Sequence, residues 1–200
     1  MANQYFENTP DLEHELKKFD FTLRKHNLNF ISDSGVFSRQ TIDFGSRVLI
    51  EAVDFSNVPA GNILDVGCGY GPIGLALAKE QTTRQTTMVD VNLRALDLAK
   101  QNAKDNNIEN VNIFESDVYK SVEGKYALIV SNPPVRAGKN VVTAILAESK
   151  DYLEPNGELW IVLQKKQGAP SAKKLMDQTF GNVEVVTRDK GYYILKSKLI

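Results

Sequence analysis

Residues 62–80, NILDVGCGYGPIGLALAKE, decide the fold. NILDV (62–66) is a short apolar run typical of a buried strand, and GPIGLALAKE (71–80) indicates a helix with Pro72 in its first turn. Glycines join the two segments, and they allow a tight turn and a close approach of the backbone to another molecule. They are Gly67, Gly69, Gly71 and Gly74. The stretch therefore predicts a strand, a glycine turn and a helix, which is the first unit of an α/β fold.

The same alternation continues toward the end of the chain. Four more strands are predicted, with helices between and after them: strands 85–90, 111–116, 126–131 and 158–164, and helices 92–107, 139–153 and one containing Leu175, Met176 and Phe180. The last two strands, VEVVTR (183–188) and YYILKS (192–197), are separated by only three residues, DKG. Three residues are too few for a parallel crossover, so these strands must form an antiparallel hairpin. The sequence predicts a largely parallel sheet with helices on both faces and an antiparallel end.

The first 60 residues follow a different pattern. Apolar and polar residues alternate over 19–33, which predicts a β-hairpin with KHN (25–27) at its turn. A helix is expected within IDFGSRVLIEAVDF (42–55), where apolar residues fall on one face. We therefore predict an appendage over 1–60 and a main domain over 61–200, joined in one compact unit.

Composition excludes several classes of function. The chain has 200 residues, 42% of them hydrophobic, and a net charge of -1. No apolar run approaches the ~20 residues of a membrane span, and no leader pattern begins the chain, so we expect a cytoplasmic protein without a membrane partner. His14, His26 and the single cysteine, Cys68, offer no metal-ligand spacing and no convincing nucleophile–base pair, so no metal is expected.

Charge is distributed unevenly. Residues 164–200 contain eight Lys and Arg against three Asp and Glu, a net charge of +5. Such a segment suits nucleic-acid phosphates, although surface lysines are often only a solvated face.

Polar residues follow the predicted parallel strands, whose carboxyl ends meet at one edge of the sheet. Asp65 precedes the glycine turn, and it suits either a cationic amine or the backbone amides of the loop. Asp90 ends the second main-domain strand, where an acid can accept hydrogen bonds from ribose hydroxyls. Ser116 and Asp117 follow the third, where a base-reading role and a plain turn are both open. The edge is therefore predicted to bind an adenosine-like ligand.

The fourth strand runs into SNPPVRAGKN (131–140). The side-chain carbonyl of Asn132 and the backbone carbonyl of Pro133 form a rigid set of hydrogen-bond acceptors, because proline has no N–H and a fixed φ. An exocyclic amine conjugated to a heterocycle is a poor nucleophile, and acceptors on its hydrogens favour the geometry in which its lone pair faces an electrophile. A rigid strand-to-helix turn is the alternative reading of the stretch.

These residues together resemble a known family. The pattern Asp-x-Gly-x-Gly-x-Gly (65–71), the acids after two strands and Asn-Pro-Pro after the fourth are similar to S-adenosylmethionine-dependent N-methyltransferases. GVFSRQTIDFGSRVLIE (35–51) and SNPPVRAGK (131–139) resemble, more narrowly, the small-domain enzymes related to bacterial 16S ribosomal RNA guanine-N2 methyltransferases. The resemblance implies a Rossmann-like sheet of order 3-2-1-4-5-7-6 with strand 7 antiparallel.

It also implies roles for individual residues. The S-adenosylmethionine site would comprise Asp65, Gly67, Gly69, Gly71, Asp90, Val91, Ser116, Asp117 and Asn132. The catalytic segment would be Asn132, Pro133 and Pro134, and the substrate would meet Phe37, Ser38, Val135, Arg136, Lys139, Lys165 and Lys166. Val135 stands where such enzymes commonly carry an aromatic residue that stacks on the target base, which leaves stacking to another residue such as Phe37.

The expected activity is methylation of a guanine N2 in 16S ribosomal RNA, free or in the small subunit, by a monomer. Adenine N6 and a protein glutamine amide are alternative acceptors. An NAD-dependent oxidoreductase is also compatible with the G-x-G-x-x-G spacing of 69–74, and a non-catalytic RNA-binding module is compatible with the basic segment.

Overall fold

The computed structural model describes residue 8 and residues 12–200. Its strands are β1 (Lys17–Leu23), β2 (His26–Ser32), β3 (Ile63–Val66), β4 (Thr86–Asp90), β5 (Val111–Glu115), β6 (Tyr126–Ser131), β7 (Leu153–Gln164), β8 (Glu184–Asp189) and β9 (Tyr192–Lys198). Its α-helices are α1 (Phe44–Ala52), α2 (Pro72–Glu80), α3 (Leu93–Asp105), α4 (Lys139–Glu148) and α5 (Ala169–Phe180).

Seven strands form the main sheet, in the order β5-β4-β3-β6-β7-β9-β8. Pairing is parallel from β5 through β7, whereas β9 runs antiparallel to both β7 and β8. Counted within this sheet, the order is 3-2-1-4-5-7-6 with the seventh strand reversed, so the predicted fold class is confirmed. The reversal has a consequence for the site, because it brings the first residue of β9 to the edge where the parallel strands end.

The sheet has a buried layer on each face. Along β6, Leu128 and Val130 pack with α1, α2, α3 and the β1–β2 hairpin, while Ile129 points to the face covered by α4 and α5. Both faces are therefore covered, and the strand reads as a continuous apolar run instead of an alternating one. This explains why YALIVS (126–131) lacks polar residues until its end.

The predicted N-terminal hairpin and helix are present and share their core with the sheet. Leu28, Phe30 and Leu49 belong to the same buried cluster as Ile63 and Trp160. Asn102 of α3 fastens the hairpin further, because its side chain accepts from the Ile31 amide at 2.7 Å and donates to the Ile31 carbonyl at 3.0 Å. The division at residue 60 stays a prediction, and these contacts favour one compact unit.

Local differences from the sequence-based expectations have simple causes. The hairpin turns at Arg24 and Lys25, with φ of 47° and 66°, and His26 already pairs with Leu23, so the prediction of KHN as the turn was wrong by about one residue. Helix α4 ends at Glu148, short of the expected residue 153, because a 3-10 turn follows. Leu93 begins α3 but is 48% exposed, since it precedes the buried face that starts at Ala95 and Leu96.

Within the part of the chain that the structure describes, no helix has both the length and the apolar character needed to cross a bilayer.

Candidate active site

A cavity of about 710 Å³ opens at the edge where the parallel strands end. Most of the predicted site residues line it: Phe37, Ser38, Gly67, Gly69, Asp90, Val91, Ser116, Asp117, Asn132, Pro133, Pro134, Val135 and Arg136. This volume lies within the range of small-molecule and cofactor sites. Residues that are distant in sequence are thus brought together where α/β sheets bind ligands.

The glycine loop after β3 forms the floor of the cavity. Gly67 and Gly69 have φ of 74° and 56°, a region that favours glycine. The Gly67 amide donates to the Val89 carbonyl at 2.8 Å, and the Gly69 amide donates to the Asp90 carboxylate at 2.8 Å. A Cβ built on Gly69 would meet no other atom within 4 Å, so the absence of a side chain leaves open space above the loop. The loop is a cradle that a side chain would fill.

Gly71 caps α2 and lies outside the cavity wall. Its φ is 100°, and a Cβ there would lie 2.8 Å from Leu75. Gly71 therefore serves the turn into the helix, and its predicted direct contact with a cofactor remains a prediction.

Asp65 lies beneath the loop, fully buried, and does not line the cavity. One carboxylate oxygen, Oδ2, accepts from the Gly74 amide at 2.8 Å, while the other, Oδ1, has no hydrogen-bond partner within the described residues. Burial raises the pKa of Asp65 to about 7, with a further increase from the Asp90 charge and an opposing effect of the Gly74 hydrogen bond. Of the two roles open from the sequence, the structure shows Asp65 bonding a backbone amide of α2.

Asp90 presents a carboxylate in the cavity wall. Its Oδ1 accepts from the Asn92 amide at 2.9 Å and its Oδ2 from the Gly69 amide at 2.8 Å. Burial raises its pKa despite these hydrogen bonds. Because each carboxylate oxygen has two lone pairs, both atoms can still accept from hydroxyl groups of a ligand.

The polar side chains of the segment after β5 form hydrogen bonds and an ion pair within their own turn. The Ser116 hydroxyl is buried, donating to the Val118 carbonyl at 2.9 Å and accepting from the Ser121 amide at 3.0 Å. Asp117 is exposed and pairs with Lys120 at 2.5 Å. The Ser116 side chain is therefore committed to the turn, and a base-reading role for this segment remains a prediction.

The Asn132 side chain is held in one orientation. Its Nδ2 donates to the Asp43 carboxylate at 3.1 Å and to the Ser46 hydroxyl at 2.9 Å. Asp43 is the N-cap of α1 and accepts from the Ser46 amide at 3.1 Å, so the helix start fixes both partners. With both Nδ2 hydrogens used, Asn132 offers its Oδ1 as the remaining polar atom, an acceptor only.

The backbone acceptors of the proline pair are partly occupied. The Pro133 carbonyl accepts from the Val135 amide at 2.9 Å, and the Pro134 carbonyl accepts from the Ala137 amide at 2.8 Å. The expectation that Asn132 and Pro133 together form the acceptor site stays a prediction, and one of the two lone pairs of the Pro133 carbonyl is already used. Asn132 Oδ1 is the better acceptor for a ligand amine.

Positive residues stand at the rim. Arg136 lines the cavity in a short 3-10 turn, whereas Lys139, Lys165 and Lys166 are exposed outside the wall. Lys165 directly follows β7, and its amide donates to the Gly191 carbonyl at 2.8 Å. The predicted cations thus lie near the edge of the sheet that carries the cavity.

Comparison with known proteins decides the class. The family model of the methyltransferase small domain matches residues 27–196. The chain belongs to the methyltransferase small-domain family. It is therefore an S-adenosylmethionine-dependent methyltransferase with an α/β methyltransferase fold, as the sequence motifs indicated.

Several relatives share long regions with this family member. YbxB of Bacillus subtilis, described as an uncharacterized protein, is 48% identical over 202 residues and matches 100% of both chains. Ribosomal RNA small subunit methyltransferase C of Haemophilus influenzae is 34% identical over 191 residues, which are 92% of this chain and 56% of that protein. The chain thus spans little more than half the length of that relative.

A solved structure shares the fold. The 16S rRNA N2 methyltransferase RsmC of T. thermophilus, in complex with AdoMet and guanosine, superposes with a TM-score of 0.84 at 23% identity. The match covers 96% of this chain and 52% of the other. At this identity the comparison supports the fold alone.

The residues present fit S-adenosylmethionine. Gly67 and Gly69 form an open backbone cradle, and the Asp90 carboxylate faces the cavity with lone pairs for hydroxyl groups. We therefore expect the cofactor in the half of the cavity formed by β3 and β4, and this assignment remains a prediction.

Sequence reasoning missed four residues. Asp43 and Ser46 orient Asn132, and their only sequence signal is an Asp three residues before a Ser at a predicted helix start. Tyr70, within the glycine loop, donates to the Ser38 carbonyl at 3.2 Å and so fastens the preceding loop to the site. Tyr192 lines the cavity because it begins the antiparallel strand β9, a position that the predicted topology itself implied.

Proposed function

We propose that this methyltransferase transfers a methyl group to the exocyclic N2 of a guanine in 16S ribosomal RNA. The observation that supports this proposal is the orientation of the Asn132 amide. Asp43 and Ser46 hold its Nδ2 hydrogens, so only Oδ1 is left to accept a hydrogen bond from the substrate. An amine has hydrogens to give to that oxygen, whereas a carbonyl or a ring nitrogen without hydrogen does not. The site therefore selects an N–H nucleophile.

The proposed chemistry needs no strong base. S-adenosylmethionine, when bound, supplies an electrophilic methyl group on a sulfonium. Asn132 Oδ1 holds one hydrogen of the acceptor amine and favours the geometry in which the nitrogen lone pair faces the cofactor half of the cavity. The same oxygen stabilises the positive charge that develops on the nitrogen as the new N–C bond forms and the sulfur–methyl bond breaks. The sulfur would leave as a neutral thioether, and the methylated nitrogen would then release one proton to water. The buried Pro133 stiffens the backbone on which Asn132 stands.

The rim supports a polyanionic substrate. Arg136 in the wall and Lys165 and Lys166 just beyond β7 form a cationic border on the edge of the sheet that carries the cavity. Phosphate contacts of this kind position a nucleic acid without reading its sequence. We infer that they and Lys139 carry the backbone of the RNA while its target base enters the cavity.

The names of relatives point to the substrate. The Haemophilus influenzae relative is named for the small ribosomal subunit, and the T. thermophilus structure is titled as an N2 methyltransferase of 16S rRNA. Adenine N6 and a protein glutamine amide also present N–H groups that Asn132 could hold. The family membership argues against an NAD-dependent oxidoreductase.

The test is a methylation assay with labelled S-adenosylmethionine and separated ribosomal subunits from a strain that lacks the gene. We expect label in the small subunit and N2-methylguanosine after nucleoside digestion and mass spectrometry. Label in N6-methyladenosine, or in a glutamine of a translation factor, would replace guanine as the acceptor. Free 16S RNA in parallel reactions shows whether the naked RNA or the assembled particle is the substrate.

Asn132→Ala separates an enzyme from a non-catalytic RNA-binding module. We expect cofactor binding in calorimetry to persist and methyl transfer to fall by two orders of magnitude or more, on the order of 3 kcal/mol for loss of a positioned transition-state contact. Unchanged turnover would refute the proposed role of the amide.

A further inference from the structure

Resting on the proposed function, we propose that the ring of Tyr192 is the surface on which the acceptor base stacks. The position after Pro134 is Val135, so the Asn-Pro-Pro segment provides no aromatic face. Tyr192, which is far from Asn132 in sequence, lines the same cavity. It is the first residue of β9 and pairs with Gln164 at the end of β7. The antiparallel strand thus delivers an aromatic ring to the edge that holds Asn132.

The ring is packed into a fixed position and remains partly exposed. It contacts Phe44 at a centroid distance of 5.7 Å with an interplanar angle of 55°. A Cβ built on Gly45 would lie 2.6 Å from two of its ring carbons, so the ring occupies the space that a side chain at residue 45 would need. A face that is ordered before binding loses little conformational entropy when a base lands on it.

Tyr192 belongs to the acceptor half of the cavity. The Asp43 Oδ2 that holds Asn132 lies 3.0 Å from the position of the same Gly45 Cβ, so carboxylate and ring flank one point. Burial and the Asp43 charge raise the pKa of the Tyr192 phenol, which keeps the ring neutral near neutral pH. The Tyr192 ring and the Asn132 amide thus border the same part of the cavity, and in our proposal one base offers its face to the ring and its amine to the oxygen.

Phe37 also lines the cavity, but its loop is fastened to the cofactor half. The Gly35 carbonyl accepts from the Asn92 side chain at 2.9 Å, and the Ser38 carbonyl accepts from Tyr70 of the glycine loop at 3.2 Å. Asn92 follows Asp90 by two residues. The third aromatic residue of the lining, Tyr70, belongs to the glycine loop itself, whereas Tyr192 lies near Asp43, which holds the Asn132 amide.

Two lysines lie near the chain segment that carries the Tyr192 ring. The Lys190 ammonium lies 4.6 Å from the centroid of the Phe44 ring, and the Lys165 amide binds the carbonyl of Gly191, the residue before Tyr192. A base stacked on Tyr192 would have its flanking phosphates beside these lysines. The aromatic face with adjacent cations is the arrangement that binds unpaired nucleotides.

The experiment compares Tyr192→Leu, Tyr192→Phe and Tyr192→Trp with Phe37→Leu as the matched control, on the small-subunit substrate. Loss of a stacked base costs about 1–3 kcal/mol, so we expect kcat/KM to fall roughly 5- to 150-fold in Tyr192→Leu. The Phe and Trp variants should keep kcat/KM within a few-fold of the parent, and Phe37→Leu should fall less than Tyr192→Leu. S-adenosylmethionine affinity, measured by calorimetry, should be unchanged in all three Tyr192 variants, which also verifies their folding.

Two results would overturn the assignment. One is full kcat/KM in Tyr192→Leu, and the other is an equal loss in Tyr192→Phe and Tyr192→Leu, which would assign the effect to the hydroxyl group. If the parent protein methylates the small subunit in either case, the proposed function stands and only the Tyr192 assignment fails. If the parent modifies a glutamine amide, the proposed function fails first, and the stacking role falls with it because no base is present.

Discussion

Replacing Asp65 by asparagine should change how the stability of the cofactor-free protein depends on pH. The Asp65 carboxyl is fully buried below the glycine loop, and burial raises its pKa from 3.8 to about 7. An acid with a raised pKa in the folded state stabilises the fold below its unfolded pKa, and that contribution is lost as pH rises through the folded value. The asparagine side chain is uncharged at every pH, so the Asp65→Asn variant should escape this loss.

The magnitude follows from the two pKa values. At about 1.4 kcal/mol for each tenfold change in proton affinity, the rise from 3.8 to about 7 corresponds to roughly 4 kcal/mol between acidic and basic limits. About 2.5 kcal/mol of this falls between pH 5 and pH 8. In the parent, Asp65 accepts from the Gly74 amide at 2.8 Å, and the side-chain carbonyl of the asparagine in the variant can still do so. The main difference between the two proteins is therefore the titratable charge of the buried carboxyl.

The assay is urea unfolding of parent and variant at several pH values between about 5 and 8, without cofactor. The free energy of unfolding of Asp65→Asn, relative to the parent, should rise by about 2.5 kcal/mol across that interval. Asp117→Asn is the control, because it makes the same substitution at a carboxylate that is exposed beside Lys120 and not buried. A difference that is flat or falls with pH would refute the account of Asp65 as a buried, singly bonded carboxyl.

Two further predictions address the acceptor side. Ser46→Ala removes one acceptor of the Asn132 amide at 2.9 Å, so kcat should fall about fivefold, on the order of 1 kcal/mol, while calorimetry finds S-adenosylmethionine affinity unchanged. A loss of cofactor affinity instead would contradict a positioning role. Lys165→Gln with Lys166→Gln should weaken RNA binding and make its log–log salt dependence shallower by about 0.7–0.9 for each phosphate contact removed, as filter-binding titrations can measure. Lys100→Gln on α3 serves as the comparison for this pair, and equal slopes in all three proteins would argue against a phosphate contact at the end of β7.

The sequence was sufficient for features that depend on local chemistry. A short apolar strand, positive-φ glycines and Pro72 specify the β3 loop and the start of α2 with little help from the rest of the chain. The three residues between β8 and β9 forced an antiparallel pair, and the strand order then followed from the resemblance. Asp90 and Asn132 were placed correctly at the edge because each directly follows or ends a predicted strand.

Features that depend on contacts between distant elements were not predicted. The burial of Asp65 could not be read from its spacing, because the sequence does not show that the Gly74 amide lies above it. The sequence indicated that the Pro133 carbonyl is an acceptor, but it did not show that a tight turn directs the Val135 amide onto this oxygen. Asp43 and Ser46 carry an ordinary capping signal. Only the packing of α1 against β7 and β9 brings their side chains within hydrogen-bond distance of the Asn132 amide.

The N-terminal appendage is therefore part of the chemistry as well as the fold. The main domain alone supplies the glycine loop, Asp90 and Asn132, but an asparagine amide that is free to rotate offers its NH2 and its oxygen with equal ease. Asp43 and Ser46, both within the first 60 residues, remove that ambiguity by binding the NH2 group. The Asp43 carboxylate also stands next to the Tyr192 ring, so one helix start orients the acceptor oxygen and borders the stacking face. If the proposed function is correct, the β3–β4 half of the sheet binds the cofactor, and the junction of α1 with β9 selects the nucleophile.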